Sequence, residues 1–246
     1  MNKETMRNYS GNLIMSSWPS AGGTSTSLIL AKILGLSYVY AGGVLKDWAR
    51  AMDFDPTSNQ FHEWEKMYGE HWDKVWEPYI EAKLRKESGL LYEGKTAGFL
   101  LPSELAFEVM IVATPEARVS RASTDGRTEE IIARDKFLQE RWKELFGFDF
   151  LSREEIKQNY DLLVDNSHLS IRETTKTILK TLNASEELLE EAKEELDELN
   201  KEELKSELNE MGLILSSEQV MSELREMLPE LFKQLPKEMQ DGTKHL

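Results

Sequence analysis

The stretch Leu13-Ile14-Met15-Ser16-Ser17-Trp18-Pro19-Ser20-Ala21-Gly22-Gly23-Thr24-Ser25 decides the fold. Leu13 to Ser16 is a short apolar run, a strand signal, and Thr24 to Leu34 reads as a helix stopped by Gly35. Between them lies a turn of small residues. Small side chains let the backbone curl so that consecutive N–H groups point inward, and the helix start adds the positive end of its dipole, making an anion cradle. On the phosphate-loop pattern G-x-x-x-x-G-K-[ST], Ser17 takes the first glycine, Gly22 the second, Gly23 the lysine, and Thr24 the hydroxyl that reaches Mg²⁺. The match is partial. A missing lysine removes a point charge from the β- and γ-phosphates, so either another cation substitutes or phosphate transfer is weak. On the loop alone, a structural turn and a phosphate site are both open.

Outward from this loop, strands and helices alternate, which marks an α/β fold with a mostly parallel sheet covered on both faces. Further strands are expected at Ser37 to Tyr40, Leu90 to Tyr92, Phe107 to Ala113 and Tyr160 to Val164, five in all with the first. Helices are expected over 44–51, 58–87, 115–123, 128–146 and 170–182. The 58–87 helix is rich in aromatics, and Trp72 and Trp76 share a face, the spacing of packing residues.

The chain has 246 residues with 45 acidic and 30 basic side chains, a net charge of −15, which argues against a nucleic-acid-binding surface. There is no cysteine, so disulfides, thiolate nucleophiles and thiolate zinc sites are excluded. No run approaches the ~20 apolar residues that span a bilayer. A soluble protein of a reducing cytoplasm is expected. Residues 184–246 carry 18 acids against 7 bases, leaving 27 and 23 for the rest, which suggests a boundary near 184. There Leu189, Ala192, Leu196, Leu199, Leu204, Leu208 and Met211 follow helical spacing, and a second stretch from Val220 to Leu235 breaks at Pro229. An acidic helical hairpin is expected, either packed on its own domain or serving a protein partner or self-association.

Six segments in order resemble the cytidylate-kinase-like branch of the P-loop nucleoside monophosphate kinases, in particular its archaeal-type members. They are the loop Ser16 to Ser25; Leu34 to Lys46, similar to L-G-L-x-Y-x-S-A-G-x-I-F-R; and Glu93-Gly94-Lys95-Thr96-Ala97-Gly98, similar to E-G-R-x-A-G. The others are Pro115 to Arg121, Arg141 to Asp149, and Tyr160 to Ser167, similar to Y-D-L-V-I-N-T. The resemblance implies a three-layer P-loop kinase fold over 1–183, with a small helical insertion at about 53–88 for the acceptor nucleotide and a lid at about 124–150. Residues 184–246 form the C-terminal extension. It implies transfer of the γ-phosphate of ATP, with Mg²⁺, to a nucleoside monophosphate, CMP or dCMP.

In phosphoryl transfer the protein chiefly positions two anions and neutralises shifting charge, so donors and cations carry the chemistry. By the resemblance, Ser20, Ala21, Gly22, Gly23, Thr24 and Ser25 hold the donor nucleotide, with Arg118 and Arg121 nearby. Thr24 and Glu93 serve the metal, and Gly42, Lys46 and Lys95 the acceptor. Arg134 and Arg141, two helical turns apart, act on the transferring phosphate. Lys46 and Lys95 stand where the family keeps Arg, and Leu138 where one group has a base-reading Asp. The rival expectations are a degenerate nucleotide-binding or protein-interaction module, and a kinase of another small acceptor.

Overall fold

The structure is a computed structural model that describes residues 9–123, 128–185, 188 and 201–246. The strands β1 (Leu13–Ser17), β2 (Ser37–Tyr40), β3 (Leu90–Glu93), β4 (Phe107–Val112) and β5 (Leu162–Asp165) form a parallel sheet of five in the order β2-β3-β1-β4-β5. Alternation along a strand sends neighbours to opposite faces. Leu13 and Met15 accordingly join one apolar cluster and Ile14 another, so both faces are covered. This is the three-layer arrangement expected of an α/β chain.

The helices up to residue 183 are α1 (Gly23–Leu34), α2 (Ala41–Ala51), α3 (Asn59–Lys86), α4 (Ala97–Leu100), α5 (Pro115–Ser123), α6 (Thr128–Phe146), α7 (Arg153–Asn159) and α8 (Ile171–Thr181). Glycines in left-handed conformation bracket α1: Gly22 at φ 89° before it and Gly35 at φ 64° after it. The short helices α4 and α7 escape a reading of apolar period, because α4 is one turn and α7 carries one buried residue, Ile156. α7 starts on Ser152, whose hydroxyl accepts from the Glu155 amide, and it ends at Tyr160. The fifth strand therefore begins at Leu162, two residues later than its pattern suggests.

Beyond residue 200 come α9 (Lys201–Glu210), α10 (Ser217–Met227), α11 (Pro229–Lys233) and α12 (Lys237–Gly242). The stripe formed by Leu189, Ala192, Leu196 and Leu199 lies outside the described residues. Pro229 opens α11 instead of bending one long helix, a position where its missing N–H costs nothing. The described residues of the extension are woven into the sheet domain. Tyr38 donates its amide to the Leu213 carbonyl at 2.6 Å, and Leu215 donates to the Tyr38 carbonyl at 3.0 Å, so the chain caps the open edge of β2. Leu204 and Leu208 join the first cluster, and Val220, Met221, Leu224 and Met239 the second. Glu223 accepts from Tyr79 Oη and from Lys83 Nζ, each at 2.7 Å, pairing a lysine that is almost wholly buried. Trp48 Nε1 donates to the Met239 carbonyl at 2.8 Å. Among the described residues no helix is long and apolar enough to cross a membrane.

Leu208 is fully buried, so Leu208→Ala is expected to lower unfolding free energy by about 2–5 kcal/mol in urea titration. Truncation after Asn183 is expected to abolish the cooperative transition. A truncated chain that unfolds cooperatively would show that the extension is an add-on.

Candidate active site

Because all five strands run the same way, the segments after β1, β2, β3 and β5 emerge at one carboxyl edge, where open α/β sheets bind ligands. The segment after β1 is curled. Ser20 and Gly22 both have positive φ, 59° and 89°, and Ala21 donates its amide to the Trp18 carbonyl at 3.0 Å. Asn166, following β5, holds the curl by donating Nδ2 to the Ala21 carbonyl at 2.6 Å, and Arg121 donates to Asn166 Oδ1 at 3.0 Å. Trp18 does not fill the hollow, since its Nε1 donates to the Phe150 carbonyl at 2.9 Å and its ring packs against the Arg118 and Arg153 guanidinium groups.

The two departures from the phosphate-loop pattern are physically coupled. A Cβ on Gly23 would fall on the Ser17 side chain. Serine at the first pattern position thus occupies the space that a side chain at the lysine position needs.

Beside the loop stands Glu93, the last residue of β3. Thr24 Oγ1 donates to its Oε1 at 2.7 Å, and the Tyr38 hydroxyl donates to its Oε2. Burial raises the Glu93 pKa, opposed by those two donors and by the positive charge of Lys201. A hydroxyl and a carboxylate in contact are hard oxygen ligands suited to Mg²⁺, which keeps waters and substrate phosphates in its shell. Among the described residues no three His, Cys, Asp or Glu side chains cluster, so an all-protein metal cage is not found there.

Across from the loop, α3 and α6 wall a cavity of about 700 Å³. Arg134 Nη2 donates to Glu65 Oε1 at 2.9 Å, and Arg141 Nη2 to Asp73 Oδ2 at 2.7 Å, with Trp142 Nε1 on the same Asp73 oxygen at 3.1 Å. These pairs dock α6 on α3. Burial pushes the Asp73 carboxyl up to about 6 against the pull of Arg141. Glu77 is buried, its pKa is pushed up to about 7 by burial and by Asp73, and its Oε2 has no hydrogen-bond partner. Desolvation and the Arg134 charge push the Lys95 ammonium down to about 7.

One cavity brings together most of the residues singled out from sequence. Ser20, Gly22, Gly23, Thr24 and Ser25 line it, with Gly42, Lys46, Glu93 and Lys95, and with Arg121, Arg134 and Arg141. Two lie elsewhere. Ala21 is fully buried and its amide is spent in the turn, so it adds no donor to the cradle. Arg118 is buried under Trp18 and paired with Asp135 at 2.5 Å, which makes it a brace between α5 and α6. Trp72 and Trp76, stacked at 4.2 Å, both pack and line the cavity. Sequence reasoning missed Glu65, Asp73 and Glu77, three carboxylates spaced eight and four apart along α3, a near-helical period that was readable. It also missed Lys201, which carries no local motif.

No protein-family model matches the chain. Archaeal cytidylate kinases do: that of Methanococcus maripaludis strain C5 is 27% identical over 158 residues, covering 61% of this chain and 84% of that protein. Those of Thermococcus kodakarensis (27%, covering 64% and 81%) and Archaeoglobus fulgidus (25%, covering 67% and 90%) align similarly. The chain is similar to archaeal cytidylate kinases over about two thirds of its length. Among solved structures, shikimate kinase from Bacteroides thetaiotaomicron aligns at a TM-score of 0.45 and 9% identity, over 71% of this chain and 99% of that one, too distant a likeness to inform the site.

The coupling of positions 17 and 23 is testable. Gly23→Lys alone is expected to cost about 1–3 kcal/mol through overpacking, and adding Ser17→Gly to recover most of it. Additive losses in chemical denaturation would refute the coupling.

Proposed function

We propose that this protein transfers the γ-phosphoryl group of ATP to a nucleoside monophosphate, CMP or dCMP, forming ADP and the nucleoside diphosphate. The observation that carries the reading is that one cavity joins the curled loop to the lid arginines and the acceptor lysines. In this reading the amides of Gly22 to Ser25 hold the donor phosphates, and Thr24 with Glu93 would hold Mg²⁺, which supplies charge neutralisation between phosphates when bound. Lys46 and Lys95 hold the acceptor phosphate. An oxygen of that phosphate bonds to the γ-phosphorus as the bond to the ADP oxygen breaks. Arg134 and Arg141, oriented by Glu65 and Asp73, meet the charge that spreads over the transferring oxygens.

Support for a cytosine base comes from Glu77, whose Oε2 lacks a partner beside the stacked Trp72 and Trp76. A carboxyl titrating near neutrality accepts from an amino group and, when protonated, donates to a ring nitrogen; cytosine offers both on one edge. It stands in for the lid Asp that Leu138 replaces. One observation favours the rival, a binder without turnover: both lid arginines already hold carboxylates.

An ADP-release assay against CMP, dCMP, UMP, AMP and GMP separates these readings. Turnover is expected to be highest with the cytidine nucleotides, with Arg141→Ala lowering kcat by about 10²- to 10³-fold and leaving ATP binding nearly unchanged. Flat rates with all five acceptors, together with ATP binding, would favour the rival.

The pH dependence follows from Lys95. A lysine is cationic below its pKa, so with that pKa near 7 the acceptor grip is present below pH 7 and fades above it. The KM for CMP is expected to rise between pH 6 and 8 and to flatten in Lys95→Arg, which stays charged throughout. Parallel profiles for both proteins would remove Lys95 from acceptor binding.

A further inference from the structure

The loop lacks the lysine that would neutralise the β- and γ-phosphates, and Ser17 leaves no room for one at position 23. We propose that Lys201, the first residue of α9 in the C-terminal extension, supplies that cation from outside the loop. The inference rests on the kinase reading above.

Among the described residues, the cations lining the cavity are Lys46, Lys95, Arg121, Arg134, Arg141 and Lys201. Arg134 and Arg141 belong to the lid and are held by Glu65 and Asp73, and Arg121 braces the loop through Asn166. Lys46 and Lys95 come from the segments that follow β2 and β3. Lys201 lines the same cavity as Thr24 and Glu93, the hydroxyl and carboxylate bonded to each other beside the loop, where the Mg²⁺–triphosphate group would lie.

Its position is fixed by packing. Leu204 and Leu208, four apart on α9, are buried in the cluster that also holds Leu28, Ile29 and Ile33 of α1. Farther along, Glu207 pairs with Lys32 near the end of α1 at 2.5 Å. The distal contact and the cavity contact together align α9 with α1, so the amino end of α9 lies by the loop. Lys201 itself is exposed at the cavity mouth, where an ammonium keeps its hydration until an anion arrives.

The test uses the full chain and compares the unmodified protein with Lys201→Ala and Lys201→Arg, titrated with AMP-PNP, ADP and AMP in the presence of Mg²⁺. Lys201→Ala is expected to weaken AMP-PNP binding about 10- to 100-fold, ADP binding less, and AMP binding not at all. Lys201→Arg is expected to restore most of the loss, with the melting temperature of the apoprotein unchanged in both variants. A purely structural role would lower the melting temperature and affect all three nucleotides alike, which would overturn the proposal. So would AMP-PNP affinity in Lys201→Ala equal to that of the unmodified protein. If the unmodified protein binds none of the three, the kinase reading fails and this inference with it.

Discussion

The hydrogen bond from Asn166 Nδ2 to the Ala21 carbonyl ties the end of β5 to the turn after β1, and the site depends on that tie. A turn with two residues at positive φ, one of them the non-glycine Ser20, is not a conformation the chain adopts without support. Asn166 is in turn held by Arg121, so a chain of side chains from α5 through β5 imposes the curl. With the curl in place, Gly22 to Ser25 at the start of α1 line the cavity and Thr24 meets Glu93.

A second constraint is the docking of α6 on α3. Buried ion pairs are weak contributors to net stability, because desolvation offsets most of the attraction, but removing one partner is costly. Arg134 with Glu65 and Arg141 with Asp73 therefore serve register more than stability, holding two guanidinium groups over one cavity.

Most of the scaffold was legible in the sequence, since apolar runs marked β1 to β4, with glycines near the first three, and an aromatic-rich helical stretch marked α3. The short helices α4 and α7 were not, because one turn or one buried residue leaves no period to read. The loop, Arg134, Arg141, Lys46 and Lys95 could be singled out by residue type and order, but what each one touches could not. Arg118 reads as a surface cation one turn from Arg121, yet Asp135 and the Trp18 ring take it into the interior. The place of Lys201 in the cavity wall was unreadable for a different reason: it depends on α9 packing beside α1, a contact between positions far apart in the chain.

In the proposed reaction, main-chain amides at the start of α1 accept a polyphosphate. Amide chemical shifts followed by NMR during titration with AMP-PNP and Mg²⁺ test this directly. The predicted result is that Gly22, Gly23, Thr24 and Ser25 move most and saturate together. A folded protein in which those four amides stay still at saturating nucleotide would contradict it.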